Sequence, residues 1–184
     1  QKLVENIHED FVKAGAEVIV TNTFTTREKR LRENNLQDKF KFLNKKAGEI
    51  AYKIKKKYPW IMIAGGLPPQ NITYSADTRK KNEIESNFYE QAKIINPFVD
   101  FFYFDVLSSI QEIKIATESI KSFNKPFLIG AHISEGTFLP SGEKLSKITK
   151  NIDCKNLLGL ILACVSPENF SKNIKELKQI GFPF

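Results

Sequence analysis

Five short apolar runs recur along the chain, at residues 17–20, 60–64, 99–104, 126–131 and 157–163, and a stretch of helical spacing separates each from the next. That alternation is the strongest constraint on the fold. Apolar runs of this length, bounded by turn residues, read as strands buried on both faces. A helix in every connection makes neighbouring strands parallel. The first helix, residues 1–13, carries Leu3, Val4, Ile7, Phe11 and Val12 on one stripe, with His8 beside it as a partly buried structural residue. Ala14-Gly15-Ala16 closes that helix, since glycine takes up the left-handed backbone that ends helices. Further helices are expected over 38–57, 83–95, 108–122 and 143–151, and from Pro167 onward. Residues 25–37 and 70–82 read as polar connections, and 181–184 as the entry to a sixth strand.

A chain of 184 residues rich in phenylalanine can bury one core, so a single domain over 1–184 is expected. No apolar run approaches the roughly 20 residues that span a bilayer. Lys2, Glu5, His8, Glu9 and Asp10 interrupt any leader-like start. Two cysteines make no disulfide framework, which suits a reducing cytoplasm. The formal charge of +7 raises nucleic acid as a partner. The lysines are scattered over helix faces, however, and no basic stretch is interleaved with stacking aromatics. The densest run, Lys53 to Lys57, ends a helix and reads as a solvated face.

In parallel β/α sheets ligands bind beyond the carboxyl ends of the strands. The residues there are Thr21-Asn22-Thr23, Gly65-Gly66, Asp105, His132 and Cys164. Gly65-Gly66-Leu67-Pro68-Pro69 reads as a turn where a ligand could approach the main chain, or as a plain connector. Asp105 is a ligand-binding carboxylate or a cap for the next helix, a task Ser108 could also perform. Cys164 is a soft metal ligand, a nucleophile or a buried structural thiol. Cys154 stands at the other end of its strand, too far away to share a metal with it.

One longer pattern joins these fragments. IHEDFVKAGAEVIVTNTF at residues 7–24 resembles the opening of the homocysteine S-methyltransferase family, and four further segments follow in family order. They are AGGLPP at 64–69, VDFFYFDVLSSIQEIKIA at 99–116, LPSGEKL at 139–145 and LACVSPENF at 162–170. The resemblance implies a (β/α)8 TIM barrel, of which this chain would supply about strands 2 to 6 and the start of strand 7, without strands 1 and 8. It implies zinc-dependent methyl transfer from a small donor to the thiol of homocysteine, giving methionine. Cys164 falls where the family places one of three zinc cysteines. Asp105 falls where it places a glutamate that helps bind the homocysteine amino group. Gly65 and Gly66 fall on a pocket-lining turn, and Asn22 and Thr23 on the pocket wall.

The departures are specific. Asp105 is one methylene shorter than the family's glutamate, Ala163 replaces an asparagine, and Gly66 and Pro68 replace a serine and a glycine. The family's first strand, with its Asp-Gly-Gly or Asp-Gly-Ala segment, and its Gly-Cys-Cys segment are absent from these residues. One cysteine cannot hold a catalytic zinc. The 184 residues alone are therefore expected to be inactive and, with two open sheet edges, poorly folded. Two other readings stay open here: a non-enzymatic relative with a degenerate zinc site, and a Cys164–His132 acyl transferase or hydrolase.

Overall fold

The computed structural model describes residues 1–134, 136–181 and 183. In chain order the elements are α1 (Lys2–Lys13), β1 (Val18–Val20), α2 (Glu28–Arg32), α3 (Phe40–Lys57), β2 (Met62–Leu67) and α4 (Lys81–Ile95), followed by β3 (Phe101–Leu107), α5 (Ile110–Ser119), β4 (Phe127–Ala131), β5 (Leu157–Leu162) and α6 (Pro167–Ile180). The strands form one parallel sheet in the order β1-β2-β3-β4-β5. Sequential order throughout is what short right-handed β/α units give when each lies beside its predecessor.

Helices cover one face of this sheet. Phe102 and Phe104 of β3 are fully buried on that side, and Phe104 meets Phe88 of α4 edge-on at 5.9 Å between ring centroids. Ile63, Ile84, Ile113 and Ile129 complete the centre of the core. The opposite face is apolar but open: Val18 and Val20 are 40% and 41% exposed, Met62 47% and Ile161 37%. This corrects the expectation of strands buried on both sides. The apolar runs are continuous, yet these residues place a helix layer on only one of the two faces.

Boundaries shift where tertiary packing overrides local pattern. Gly65 and Gly66 belong to β2, paired with Phe102 and Tyr103, and do not form a turn. A side chain at Gly65 would stand 3.1 Å from Ile95 and 3.2 Å from Val99, so its absence lets α4 approach the sheet. The helix expected over 143–151 is a single 3-10 turn, Leu145–Lys147. Ser109, not Ser108, caps α5, accepting from the Glu112 amide at 3.1 Å. Pro167 opens α6 behind the Ser166 cap, and Gly181 closes it in the left-handed conformation. Of the expected sixth strand, Phe182 and Phe184 lie outside the described residues; the Pro183 carbonyl accepts from the Leu160 amide at 2.9 Å.

The basic run binds its own chain. Lys53 pairs with Glu5 at 2.8 Å and Lys57 with Glu9 at 2.6 Å, tying α3 to α1, while Lys55 meets Asp100 at 2.5 Å. Hydrogen bonds from Lys57, Lys13 and Tyr58 draw the Glu9 carboxyl down to about 2. No described helix is long and apolar enough to cross a membrane.

Candidate functional site

The carboxyl ends of β3, β4 and β5 bring Asp105, His132 and Cys164 to one rim, and the loop between β2 and α4 carries Tyr74 over it. The Tyr74 ring lies 4.5 Å from the His132 ring, centroid to centroid. The neighbouring Cys164 side chain, then burial and the Asp105 charge, hold the Tyr74 phenol above its ordinary range. Cys164 is an exposed free thiol. His132 is buried, with Nδ1 3.2 Å from the Ala163 carbonyl. No hydrogen bond joins His132 to Cys164 among the described residues, so the acyl-transfer pair has no geometric support.

Asp105 is half-buried and accepts a hydrogen bond from Tyr103 Oη at 2.8 Å. Burial raises its carboxyl above the usual range, and the Tyr103 hydrogen bond opposes that rise. The pairing of β3 with β4 slips between Phe104 and Leu107, at the point where Asp105 leaves the ladder. Bulges of this kind re-aim side chains beside sites.

The rim is also where the backbone is strained. Tyr74, Val106 and Cys164 have φ of 66°, 61° and 54°, three of the five non-glycine residues with positive φ among the described residues. A left-handed conformation costs an L-residue about 1–2 kcal/mol, and a β-branched valine tolerates it poorly. Such outliers persist when the surroundings over-determine them, and they gather at functional sites.

The remaining candidates lie elsewhere. Thr23 is fully buried; its hydroxyl donates to the Gly66 carbonyl at 2.6 Å, and Thr21 Oγ1 accepts the Gly66 amide at 3.0 Å. Gly65 packs against helix side chains and Gly66 against Val20 and Thr23. Asn22 is exposed and lines a groove of about 430 Å³ between α1 and the β1 edge, with Ile7, Phe11 and Val20. In this structure Thr23 and Gly66 hold the β1 end to β2, and Gly65 gives clearance to Ile95 and Val99.

Behind Thr23 lies a buried polar network that no motif announces. Gln91 of α4 donates to the Thr23 carbonyl at 3.0 Å and to Asn44 of α3 at 2.9 Å, and it accepts from Gln70 at 2.8 Å. Asn44 in turn holds the Thr26 carbonyl at 3.0 Å. These bonds fix the β1 and β2 loops relative to two helices. The signal in the sequence was a polar residue beside each apolar stripe, Asn44 next to Leu43 and Gln91 next to Ala92. Gln91→Leu removes its three hydrogen bonds from this buried network, and a urea titration should show a loss of about 1–3 kcal/mol with an unchanged slope.

Sequential parallel strands, helices in each connection and a polar rim at the strand ends define an α/β protein of the class that builds its sites from β/α loops. The family model described as Homocysteine S-methyltransferase matches residues 1–184, and the chain belongs to that family. Homocysteine S-methyltransferases 1 and 2 of Saccharomyces cerevisiae are 27% and 29% identical to it over 90% of its length. The chain spans 56% of each of those relatives. Betaine–homocysteine S-methyltransferase 1 of Rattus norvegicus is 27% identical over 67% of this chain and 31% of its own length. Among solved structures, the metallated homocysteine methyltransferase MmuM from Escherichia coli superimposes with a TM-score of 0.86 at 17% identity. That match covers 97% of this chain and 68% of MmuM, and it shows the fold.

Proposed function

We propose that this chain is the central part of a (β/α)8 barrel enzyme that methylates the thiol of homocysteine to give methionine. The observation that carries the reading is the rim itself, where, on either side of the Tyr74 and His132 rings at the end of β4, the carboxyl ends of β3 and β5 bring the Asp105 carboxylate and the exposed Cys164 thiol to one end of the sheet. An amino acid bearing a thiol has one group for each. The sheet order and the open apolar face support the barrel, because a closed barrel needs sequential parallel strands and fills its interior with such side chains.

The donor set admits zinc in part. Cys164 is an exposed thiol at a strand end and would supply one ligand. Cys154 sits before β5, its thiol directed to the Thr149 and Ile152 carbonyls. No group of three potential metal ligands occurs among the described residues. These residues alone therefore do not fit a complete zinc site, and the 184-residue chain by itself is proposed to be inactive. Zinc, when bound, supplies the charge that keeps a thiol ionised at neutral pH.

The remaining chemistry belongs to the residues present. Asp105 accepts the substrate ammonium, and Tyr74 closes the rim above Cys164. The substrate sulfur forms a bond to the donor methyl carbon, the carbon–heteroatom bond of the donor breaks, and its electron pair leaves with the donor. The thiol proton is lost to solvent. Holding sulfur and methyl in line is the main contribution of such a site. The two free cysteines agree with a reducing cytoplasm as its setting.

The test is methionine formation by the zinc-loaded protein expressed from its complete reading frame. Homocysteine is offered with betaine, S-methylmethionine, S-adenosylmethionine or methylfolate in separate reactions. Methionine is expected with at least one donor, and none from residues 1–184 alone. A folded, zinc-loaded protein that makes no methionine with any donor would overturn the reading.

A further inference from the structure

Asp105 is held by a tyrosine two residues before it on β3, whose role the sequence alone does not show. Residues two apart on a strand share a face, so Tyr103 and Asp105 both project from β3 on the side opposite the helices. Tyr103 Oη reaches Asp105 Oδ1 at 2.8 Å. The ring can lie there because residue 130 of the neighbouring strand is glycine. A Cβ at that position would stand 2.8 Å from Tyr103 Oη and 3.0 Å from its Cε2. Burial and the adjacent Asp105 charge keep the phenol protonated, so it is the donor. Among the described residues, no hydrogen bond reaches Asp105 Oδ2.

We propose that Tyr103 is a positioning residue for ammonium recognition: lying in the space that Gly130 leaves clear, it fixes Asp105 Oδ1 and thereby presents Oδ2 to the α-ammonium of homocysteine. An aspartate has two torsions, and an unrestrained carboxylate offers either oxygen in many directions. A hydrogen bond from a neutral donor to one oxygen selects a single orientation and leaves the negative charge for the ligand. The role rests on the reading of the rim as the homocysteine site.

The experiment measures affinity by calorimetry on the zinc-loaded protein from its complete reading frame. The ligands are homocysteine and 4-mercaptobutyrate, which keeps the thiol and carboxylate and lacks the amino group. The native protein should prefer homocysteine. Tyr103→Phe keeps the ring and loses only the hydroxyl; it should weaken homocysteine by about tenfold, the scale of one charge-assisted hydrogen bond. It should leave 4-mercaptobutyrate unchanged. Asp105→Asn should reproduce that selective loss. Equal weakening of both ligands by Tyr103→Phe would reveal a purely structural role and overturn the proposal, as would no weakening of either. A native protein that binds both ligands equally would overturn ammonium recognition at Asp105 while leaving methyl transfer standing. A native protein that binds neither would remove the homocysteine reading, and this inference with it.

Discussion

Cys164→Gly is expected to abolish homocysteine methylation by the protein expressed from its complete reading frame, while the thermal midpoint of the metal-free protein stays the same or rises. The two halves of that result have separate causes. Cys164 holds a left-handed backbone with φ of 54° and an exposed side chain. Glycine adopts that conformation without the steric penalty, about 1–2 kcal/mol, that an L-residue meets there. The greater freedom of glycine in the unfolded chain offsets part of the gain. The thiol, in contrast, has no substitute at the rim. Loss of an outer-shell partner costs about 10–100-fold in metal affinity, and loss of a direct ligand should cost more. Steady-state assays on the zinc-loaded protein and thermal unfolding of the metal-free protein check the two halves. Retained methylation would show that Cys164 is not a ligand. A large fall in midpoint would show that the thiol is structural.

Glu112→Gln is expected to stabilise the protein at alkaline pH and to flatten its stability profile. Glu112 is fully buried on α5; one oxygen accepts the Ser108 amide at 3.0 Å, and the other has no partner. Burial is the main cause that pushes its carboxyl up to about 8, with the nearby Asp77 charge adding to it, while the Ser108 amide and Arg79 oppose it. Below about 4.5 the folded and unfolded chains both hold the proton. Between about 4.5 and 8 only the folded chain does, so stability falls as pH rises, and the loss is complete above 8. The linkage sets an upper bound of about 5 kcal/mol on that loss. Glutamine keeps an acceptor for Ser108 and carries no charge. Urea titrations at pH 5 and pH 9 should give similar stabilities for the two proteins at the lower pH and a more stable variant at the higher. Parallel profiles would show that Glu112 ionises without cost in the fold.

The strands were legible because parallel, helix-flanked strands leave apolar runs between turn residues. β1, β4 and β5 fall within about a residue of the expected ends. β2 was displaced toward its start because Gly65-Gly66 resembles a turn. Its actual role, clearance for Ile95, Val99 and Thr23, depends on residues 30 or more positions away in the chain or on another strand. The segment expected as a helix over 143–151 contracts because its first residues serve another element. Glu143 accepts the Ile110 amide at 2.9 Å at the start of α5, and the Ser141 amide donates to the Ser108 carbonyl at 3.2 Å. Asp105, His132 and Cys164 were legible as strand ends, since the fold alone brings strand ends together. Tyr74 was visible only as an aromatic in a polar loop. Tyr103 was hidden, because its meaning arises from Gly130 on the adjacent strand and from the bulge that turns Asp105.

We propose that Cys164 is a metal-binding thiol of a homocysteine site and that Cys154 is not. The most direct measurement is the rate of iodoacetamide labelling of each cysteine, read by peptide mass spectrometry, in the protein from its complete reading frame. Without metal, Cys164 should react quickly, and Cys154 slowly, because Cys154 is partly buried and its thiol is raised by burial and by Asp153. Added zinc should protect Cys164, homocysteine should deepen that protection, and Cys154 should not respond to either. A Cys164 rate that zinc leaves unchanged would show that this thiol is not a metal ligand.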